Sequence, residues 1–315
     1  MLFLFFGDWH ITDKDDLIYF KGHLKLMRWL EEQYNLSNTI FIQAGDLFDK
    51  DVIHHEDVMS PTIDFLLKFK ECHLIQGNHD KDKKGSILAP LSKHLSLNVY
   101  SSFQETLIDS FSFGMFPHFY DYEDNHLYED NETIYDFRVI HRHPKGFNAG
   151  KEETAFKVHA KYATFYGHYH EPKGEAIGIP QTTREGEQNW KKRFFEFDTE
   201  TEILTEREAP VFFTIQTISY GEKIYNKDYL YNVIEAPSKK VVKEKYPDVK
   251  IRRNGIKLID RKKDSTEIRL EGSKKLKLNN FYDKWKNEFG DTVRGEVLDE
   301  LELQFQRTSG NRDIR

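Results

Sequence analysis

The sequence predicts an α/β fold: a layered α/β/β/α core with one sheet packed on another, then a smaller α+β segment and terminal helices. Three observations carry this reading. Through residue 80, short apolar runs alternate with amphipathic stripes, the β-α-β-α-β order of a parallel sheet with right-handed crossovers. From Val99 onward, apolar runs follow one another with few helical patterns between them, as in a second sheet. Past Pro210 the chemistry changes. Residues 1–210 carry 23 Lys/Arg against 36 Asp/Glu, residues 211–315 carry 23 against 17, and all 14 histidines fall between His10 and His170.

Leu2–Phe6, bounded by Gly7, reads as a buried strand. Leu17, Phe20, Leu24, Met27 and Leu30 recur every three or four residues, one face of a helix. Thr39–Gln43 is a second strand, Val58–Phe69 a helix with Pro61 in its first turn, and Cys72–Gln76 a third strand. Leu107-Ile108, Phe111–Phe116, Phe137–Ile140, Tyr162–Tyr166, Ala176–Ile179 and Arg193–Phe197 supply the second group of strands. Glu200–Pro210 forms a charged last strand and linker. Beyond it come a strand at Val211–Ser219 and a helix around Lys239–Lys245. A strand pair, Val249–Arg253 and Gly255–Arg261, turns at Asn254-Gly255. Leu278, Phe281, Trp285 and Phe289 form one helical stripe; Val293, Val297, Leu301 and Phe305 form another after Gly290-Asp291. The expected division is a core at 1–210, a small domain at 211–275, a helical segment at 276–308 and a frayed tail at 309–315.

Charged residues make up 31% and hydrophobic residues 38%, which excludes extensive disorder. No apolar run approaches the ~20 residues of a membrane-spanning helix, and Gly7-Asp8 ends the opening Met1–Phe6 run. With one cysteine, Cys72, no intramolecular disulfide can form, and a cytoplasmic setting is expected. Cys72 itself reads as an inert core residue. The net charge of -7 speaks against holding nucleic acid by bulk charge alone.

Five short motifs each follow a predicted strand: Gly7-Asp8-Trp9-His10, Gly45-Asp46-Leu47-Phe48-Asp49, Gly77-Asn78-His79-Asp80, His141, and Gly167-His168-Tyr169-His170. Loops at the carboxyl ends of neighbouring strands converge in open α/β sheets, and glycines let ligand side chains come close together. Carboxylates, an amide oxygen and imidazoles, with no thiolate, suit divalent ions such as manganese, iron or zinc. Asp8, His10, Asp46, Asn78, His141, His168 and His170 offer seven ligands. That exceeds what one four-coordinate ion needs and suits two ions sharing a carboxylate, an arrangement built for in-line displacement at phosphorus. Two histidines compete for the fourth motif, His141 directly after Ile140 and His143 before Pro144. His54 and His55 read as solvated residues at a helix start, His118 as a border of the cleft, and Trp9 as packing.

The motif order resembles the calcineurin-like metallophosphoesterase superfamily, over residues 1 to about 200. The resemblance implies that Asp8, His10, Asp46 and His170 bind a first ion, and that Asp46 (bridging), Asn78, His141 and His168 bind a second; it also favours His141 over His143. His79 would stabilise or protonate the leaving oxygen, with Asp80 orienting that imidazole through its other nitrogen. Gly45-Asp46-Leu47-Phe48-Asp49 is similar to the SbcD-type DNA repair nucleases. So are Gly178-Ile179-Pro180, Gly186-Glu187 and Arg193–Asp198. Those enzymes often carry a histidine where this chain has Asp49, whereas phage-type members share the aspartate.

What the likeness implies is exonuclease action on duplex DNA ends and endonuclease action on single strands. It implies two divalent ions, Mn2+ foremost with Mg2+ or Fe2+ as alternatives. The implied partners are DNA, an SMC-like ATPase subunit docking the C-terminal helices, and a second copy of the chain as a homodimer. No membrane partner is implied, and the setting is the cytoplasm, that of the host if the chain is phage-encoded. Lys250–Arg253 and Arg261–Lys263 read either as phosphate contacts of a DNA-orienting cap or as a solvated face. Two other functions use the same fold: a small-molecule phosphodiesterase or phosphatase, and a metal-free scaffold.

Overall fold

The computed structural model describes residues 1–49, 56–82, 85–118, 132–144, 153–154, 159–184, 186–219, 230–236, 242, 244–245 and 254–258. In chain order these contain β1 (Leu2–Phe6), α1 (Lys14–Gln33), β2 (Thr39–Gln43), α2 (Glu56–Leu66) and β3 (Glu71–Ile75). The two-residue strands β4 (Lys81–Asp82) and β5 (Gly85–Ser86) precede β6 (Leu97–Tyr100), β7 (Gln104–Ile108), β8 (Phe111–Phe116) and β9 (Phe137–Ile140). Then come β10 (His143–Pro144), β11 (Glu153–Thr154), β12 (Ala163–Tyr166), β13 (Arg193–Asp198) and β14 (Ile203–Glu208). β15 (Thr214–Ser219), β16 (Leu230–Ala236) and β17 (Asn254–Leu258) complete the set.

Two sheets form the core. The first has the order β14-β13-β1-β2-β3-β6, parallel from β1 through β6 and antiparallel at β13 and β14. The second has the order β12-β9-β8-β7, with only β7 antiparallel. The period of two along a strand sorts β1 between both faces. Phe3 and Phe5 enter the layer between the sheets, whereas Leu4 and Phe6 join α1 and α2 on the other side. The predicted α1 stripe does the matching work: Phe20, Met27 and Leu30 are buried, and Leu17 and Leu24 pack against them. Between the sheets the filling is largely aromatic. Ring centroids lie 4.3 Å apart for Phe5 and Phe165, 5.2 Å for Phe5 and Phe137, and 5.0 Å for Phe113 and Phe137.

The described residues therefore show helices, sheet and sheet, three of the predicted layers. The outer face of the second sheet, with Phe116, Ile140 and Tyr166, is packed by Tyr135 and Ala176. The expected fourth, helical layer is not seen among the described residues.

Several local expectations are corrected. Pro61 sits inside α2 rather than in its first turn. Ala176–Ile179 is not a strand; Ala176 makes only isolated bridges, to Tyr166 and to Lys173. Asn254-Gly255 is not a hairpin turn. Both residues lie in β17, parallel to β16 with Asn232 opposite Asn254 and Val233 opposite Gly255. A parallel pair needs a long crossover, and residues 237–253 provide the length for it. Val242, Glu244 and Lys245, the described part of the expected Lys239–Lys245 helix, are helical.

One compact unit spans Met1–Arg261. Within it the chain past Pro210 packs on α1, where Phe213 meets Tyr19 at 5.1 Å between centroids. Gln181 clasps the same stretch, donating to Pro210 O at 2.7 Å and accepting from Phe212 N at 3.0 Å. A second unit, Lys262–Arg315, lies outside the described residues together with the helical stripes of Leu278–Phe305. Residues 250–253 and 261 lie outside them as well. Among the described residues, no helix is long and apolar enough to cross a membrane.

The inter-sheet aromatic layer sets a contrast in stability. Phe5→Ala should cost about 3–5 kcal/mol, whereas Leu107→Ala, at an exposed position on the edge strand β7, should stay within about 0.5 kcal/mol of wild type. Urea unfolding midpoints measure both.

Candidate metal centre

The loops after β1, β2, β3, β9 and β12 meet at one end of the two sheets. Trp9 and His10 both donate their backbone N–H to Asp46 O, at 3.0 and 2.9 Å, and Gly167 N donates to Ile140 O at 2.8 Å. His10, Asp46 and His168 adopt left-handed backbone, with φ of 45°, 54° and 69°, conformations that cost a non-glycine residue of order 1–3 kcal/mol each. Two glycines are there to make room. A Cβ on Gly77 would fall 2.1 Å from Asp46 Oδ1, and one on Gly45 would fall 2.0 Å from His141 Nδ1.

Three groups of donor atoms could each hold an ion: Asp8, His10 and His170; His10, Asp46 and His79; and Asp46, His141 and His168. Asp46 Oδ2 lies 3.5 Å from His10 Nε2 and 3.3 Å from His141 Nε2, so one carboxylate oxygen stands between two imidazoles. Asp8 Oδ2 is 3.6 Å from His170 Nε2, and Asn78 Oδ1 is 3.0 Å from His141 Nε2. All seven predicted ligand residues are brought together.

Hydrogen bonds on the far side of the rings decide which way the lone pairs face. A carbonyl can only accept, so His141 donates from Nδ1 to Ala44 O at 2.7 Å. Its Nε2 faces two acceptors, Asn78 Oδ1 and Asp46 Oδ2, so a proton stands between them in the metal-free protein where an ion would take its place. His10 Nε2 and His170 Nε2 approach to 2.9 Å. Asp8 Oδ2 is buried with no hydrogen-bond partner among the described residues. A buried carboxylate oxygen without a donor is costly, and converging acceptors repel unless a cation lies among them. The donor set therefore fits divalent ions.

Burial drives the His10 imidazole down to about 3 and the His168 imidazole to about 2, so both are neutral and able to coordinate. Burial raises the Asp8 carboxyl to about 6, with His141 and His170 opposing. Asp46 also resists ionisation through burial, but His141 and His10 hold it well below the usual carboxylate range. Burial alone would lower His141; Asp46 and Asp8 reverse this and lift it to about 9.

The Asp80 expectation is corrected. Asp80 is fully buried and accepts from Gly77 N at 2.9 Å, Phe48 N at 3.1 Å and Leu47 N at 3.3 Å. It ties the β2 and β3 loops together and does not reach His79. The carboxylate on His79 is that of Asp49, whose Oδ1 lies 2.8 Å from Nδ1. The loop turns Asp80 inward and leaves the His79 side chain 32% exposed, so adjacency in sequence is not contact. Glu187, not assigned a site role from sequence, lies 2.7 Å from His170 Nδ1. The signal was its place in an acidic turn after the last histidine pair, with nothing to say what it touched.

Of the competing histidines, His141 is the one beside Asp46, whereas the His143 ring lies 4.4 Å from that of His168. The His118 ring lies 5.8 Å from His168, at the border of the site. Trp9 is buried against Phe6, Phe41 and Phe65. Cys72 is buried too, with Sγ directed at Leu66 O at 3.2 Å. His54 and His55 lie outside the described residues.

A mixed α/β core with a His/Asp metal centre at its strand ends is a phosphoesterase arrangement. Residues 1–193 match the calcineurin-like phosphoesterases, and the chain belongs to that family, which binds divalent metal. The chain is similar to Exonuclease subunit 1 of Enterobacteria phage T4, with 27% identity over 229 residues. That match covers 64% of this chain and 66% of the relative, just under two thirds of its length. It bears out the resemblance to phage-type SbcD-like nucleases. Among solved structures, a novel archaeal phosphodiesterase is similar at 16% identity, over 66% of this chain and 99% of its own, with a TM-score of 0.39. A 5′-nucleotidase precursor from Thermus thermophilus is similar at 12%, over 66% of this chain and 53% of its own, with a TM-score of 0.32.

Two outcomes follow from this geometry. Metal-free His141 keeps its extra proton up to pH about 9, and an ion can take Nε2 only when that proton leaves. Manganese affinity should rise by up to about tenfold per pH unit between about pH 7 and 9, then level off. Titration calorimetry in buffers of different ionisation enthalpy should read nearly one proton released; a flat response would mean a nitrogen already bare. At residue 168, with φ of 69°, glycine should be about 1 kcal/mol more stable than alanine. This reverses the usual order within regular structure, and urea unfolding of metal-free His168→Gly and His168→Ala checks it.

Proposed function

We propose that the chain is the nuclease subunit of a DNA recombination and repair complex, hydrolysing phosphodiesters at a two-ion centre. The observation that carries this reading is Asp46 Oδ2, flanked by His10 Nε2 at 3.5 Å and His141 Nε2 at 3.3 Å, the place of a carboxylate shared between two ions. Asp8, His10, Asp46 and His170 would hold a first ion; Asp46, Asn78, His141 and His168 would hold a second. Manganese is the preferred metal. Divalent ions held by these residues would supply activation of the attacking water and neutralisation of charge on the phosphoryl oxygens.

His79 stands beside the centre, its ring 4.6 Å from that of His10. Asp49 accepts from Nδ1–H and turns Nε2 toward the substrate; as the imidazolium, His79 would give its Nε2 proton to the departing O3′ and return to the neutral ring. Asp80 shapes the loop from which His79 projects. Similarity to Exonuclease subunit 1 of phage T4 supports DNA as the substrate, with exonuclease action on duplex ends and endonuclease action on single strands. The basic balance of residues 211–315 supports a DNA-orienting cap at 211–275 and helices at 276–308 that dock an SMC-like ATPase subunit. The complex works in the cytoplasm, as a homodimer of this subunit with its ATPase.

His79→Ala should keep manganese binding by calorimetry while cleavage of linear duplex DNA falls about 10²–10⁴-fold. Asp49→Ala should lower cleavage by a smaller factor, with metal binding also kept. Wild-type cleavage by His79→Ala would sink the proposed role. Turnover of mononucleotides with linear DNA left intact would favour a small-molecule phosphodiesterase, and absence of manganese binding would favour a scaffold.

A further inference from the structure

Glu187 lies in the stretch between the last histidine pair and β13, yet its side chain is only 1% exposed. Five donors meet its carboxylate. Oε1 accepts from His170 Nδ1 at 2.7 Å and Arg184 Nε at 2.8 Å. Oε2 accepts from Thr183 N at 3.0 Å, Thr183 Oγ1 at 2.9 Å and Arg184 N at 3.1 Å. Its backbone carbonyl accepts from the buried Lys192 Nζ at 2.9 Å. We infer that Glu187 is a positioning residue of the metal centre: it fixes the proton of His170 on Nδ1 and so turns the bare Nε2 toward Asp8 and His10.

The argument is one of donors and acceptors. An ionised carboxylate has no proton to give, so the 2.7 Å contact requires an N–H on His170 Nδ1. Arg184 Nη2 lies 3.2 Å from the same nitrogen, but it is itself a donor and cannot bond to an N–H. The carboxylate therefore wins, and the guanidinium is held beside it by Nε. Neutral imidazole then carries its lone pair on Nε2, the atom 2.9 Å from His10 Nε2 and 3.6 Å from Asp8 Oδ2. A ligating histidine commonly gives its other N–H to a carboxylate, and loss of that partner typically weakens metal binding about 10–100-fold. The inference rests on the proposed metal centre.

Glu187→Gln separates positioning from mere support of the turn. Three donors surround Oε2 and two surround Oε1, so the amide oxygen stays with Thr183 and the NH2 group faces His170. The turn survives, but Nδ1 must now accept, which moves the imidazole proton to Nε2. Long-range 1H–15N spectra of the metal-free protein, with His170→Gln for assignment, should show Nδ1–H in wild type and Nε2–H in Glu187→Gln. Manganese titration followed by electron paramagnetic resonance should show one ion bound about 10–100-fold more weakly in Glu187→Gln and the other unchanged. Thermal unfolding should stay near wild type. A Glu187→Gln protein with Nδ1–H and both ions at wild-type affinity would overturn the inference. Nε2–H on His170 in metal-free wild type would overturn it too, whatever the variant does. Wild-type protein with Nδ1–H that binds no manganese would instead overturn the metal centre, and the inference with it.

Discussion

Asp46 holds the loops around the centre in place through two different parts of one residue. Its carbonyl oxygen receives the N–H groups of Trp9 and His10, which fixes the loop after β1. Its carboxylate receives the N–H of His79 at 2.7 Å, which fixes the loop after β3, and meets His141 beyond β9. To serve all of these the residue adopts left-handed backbone, and the neighbouring loop has no side chain at Gly77, where a Cβ would strike it. The cost of that conformation is met by the surrounding hydrogen bonds, and cations among the converging acceptors would relieve the repulsion between them. Stability and metal chemistry are thus coupled at one aspartate.

The sheets supply the rigidity on which those distances depend. Odd and even residues of β1 are committed to different layers, so a one-residue slip would reverse both. The ligand loops begin directly after such strands, and their starting points are fixed by packing rather than by the loops themselves. Histidines in this setting lose their charge through burial, while His141, pressed between two carboxylates, gains one. His10 and His141 are both buried, yet they shift in opposite directions because the neighbours differ.

Much of this was legible in the sequence because it is written in local patterns. Leu2–Phe6 and Thr39–Gln43 read as buried strands, the Leu17–Leu30 stripe as a helix, and a glycine ahead of most ligand groups as a tight strand end. What the sequence did not disclose depends on contacts between loops. Asp80 follows His79, yet its carboxylate serves three backbone N–H groups while Asp49 takes the imidazole. Glu187 has no periodicity around it and acquires its role only when the turn at Thr183 closes on His170. Asn254-Gly255 carries strong hairpin chemistry, but pairing with β16 overrides it. Pro61 is a good first-turn residue that α2 accommodates further in.

β1 also sits in the middle of its sheet, between β2 on one side and β13 on the other. On the ribosome these two neighbours do not arrive together. β2 is made soon after β1, whereas β13 follows only after the whole second sheet. Until then the aromatic strand Leu2–Phe6 presents an open edge, the kind of template on which chains pair wrongly with one another. The strand that launches Asp8 and His10 is therefore an aggregation hazard of the nascent chain, and closure by Arg193–Asp198 ends it.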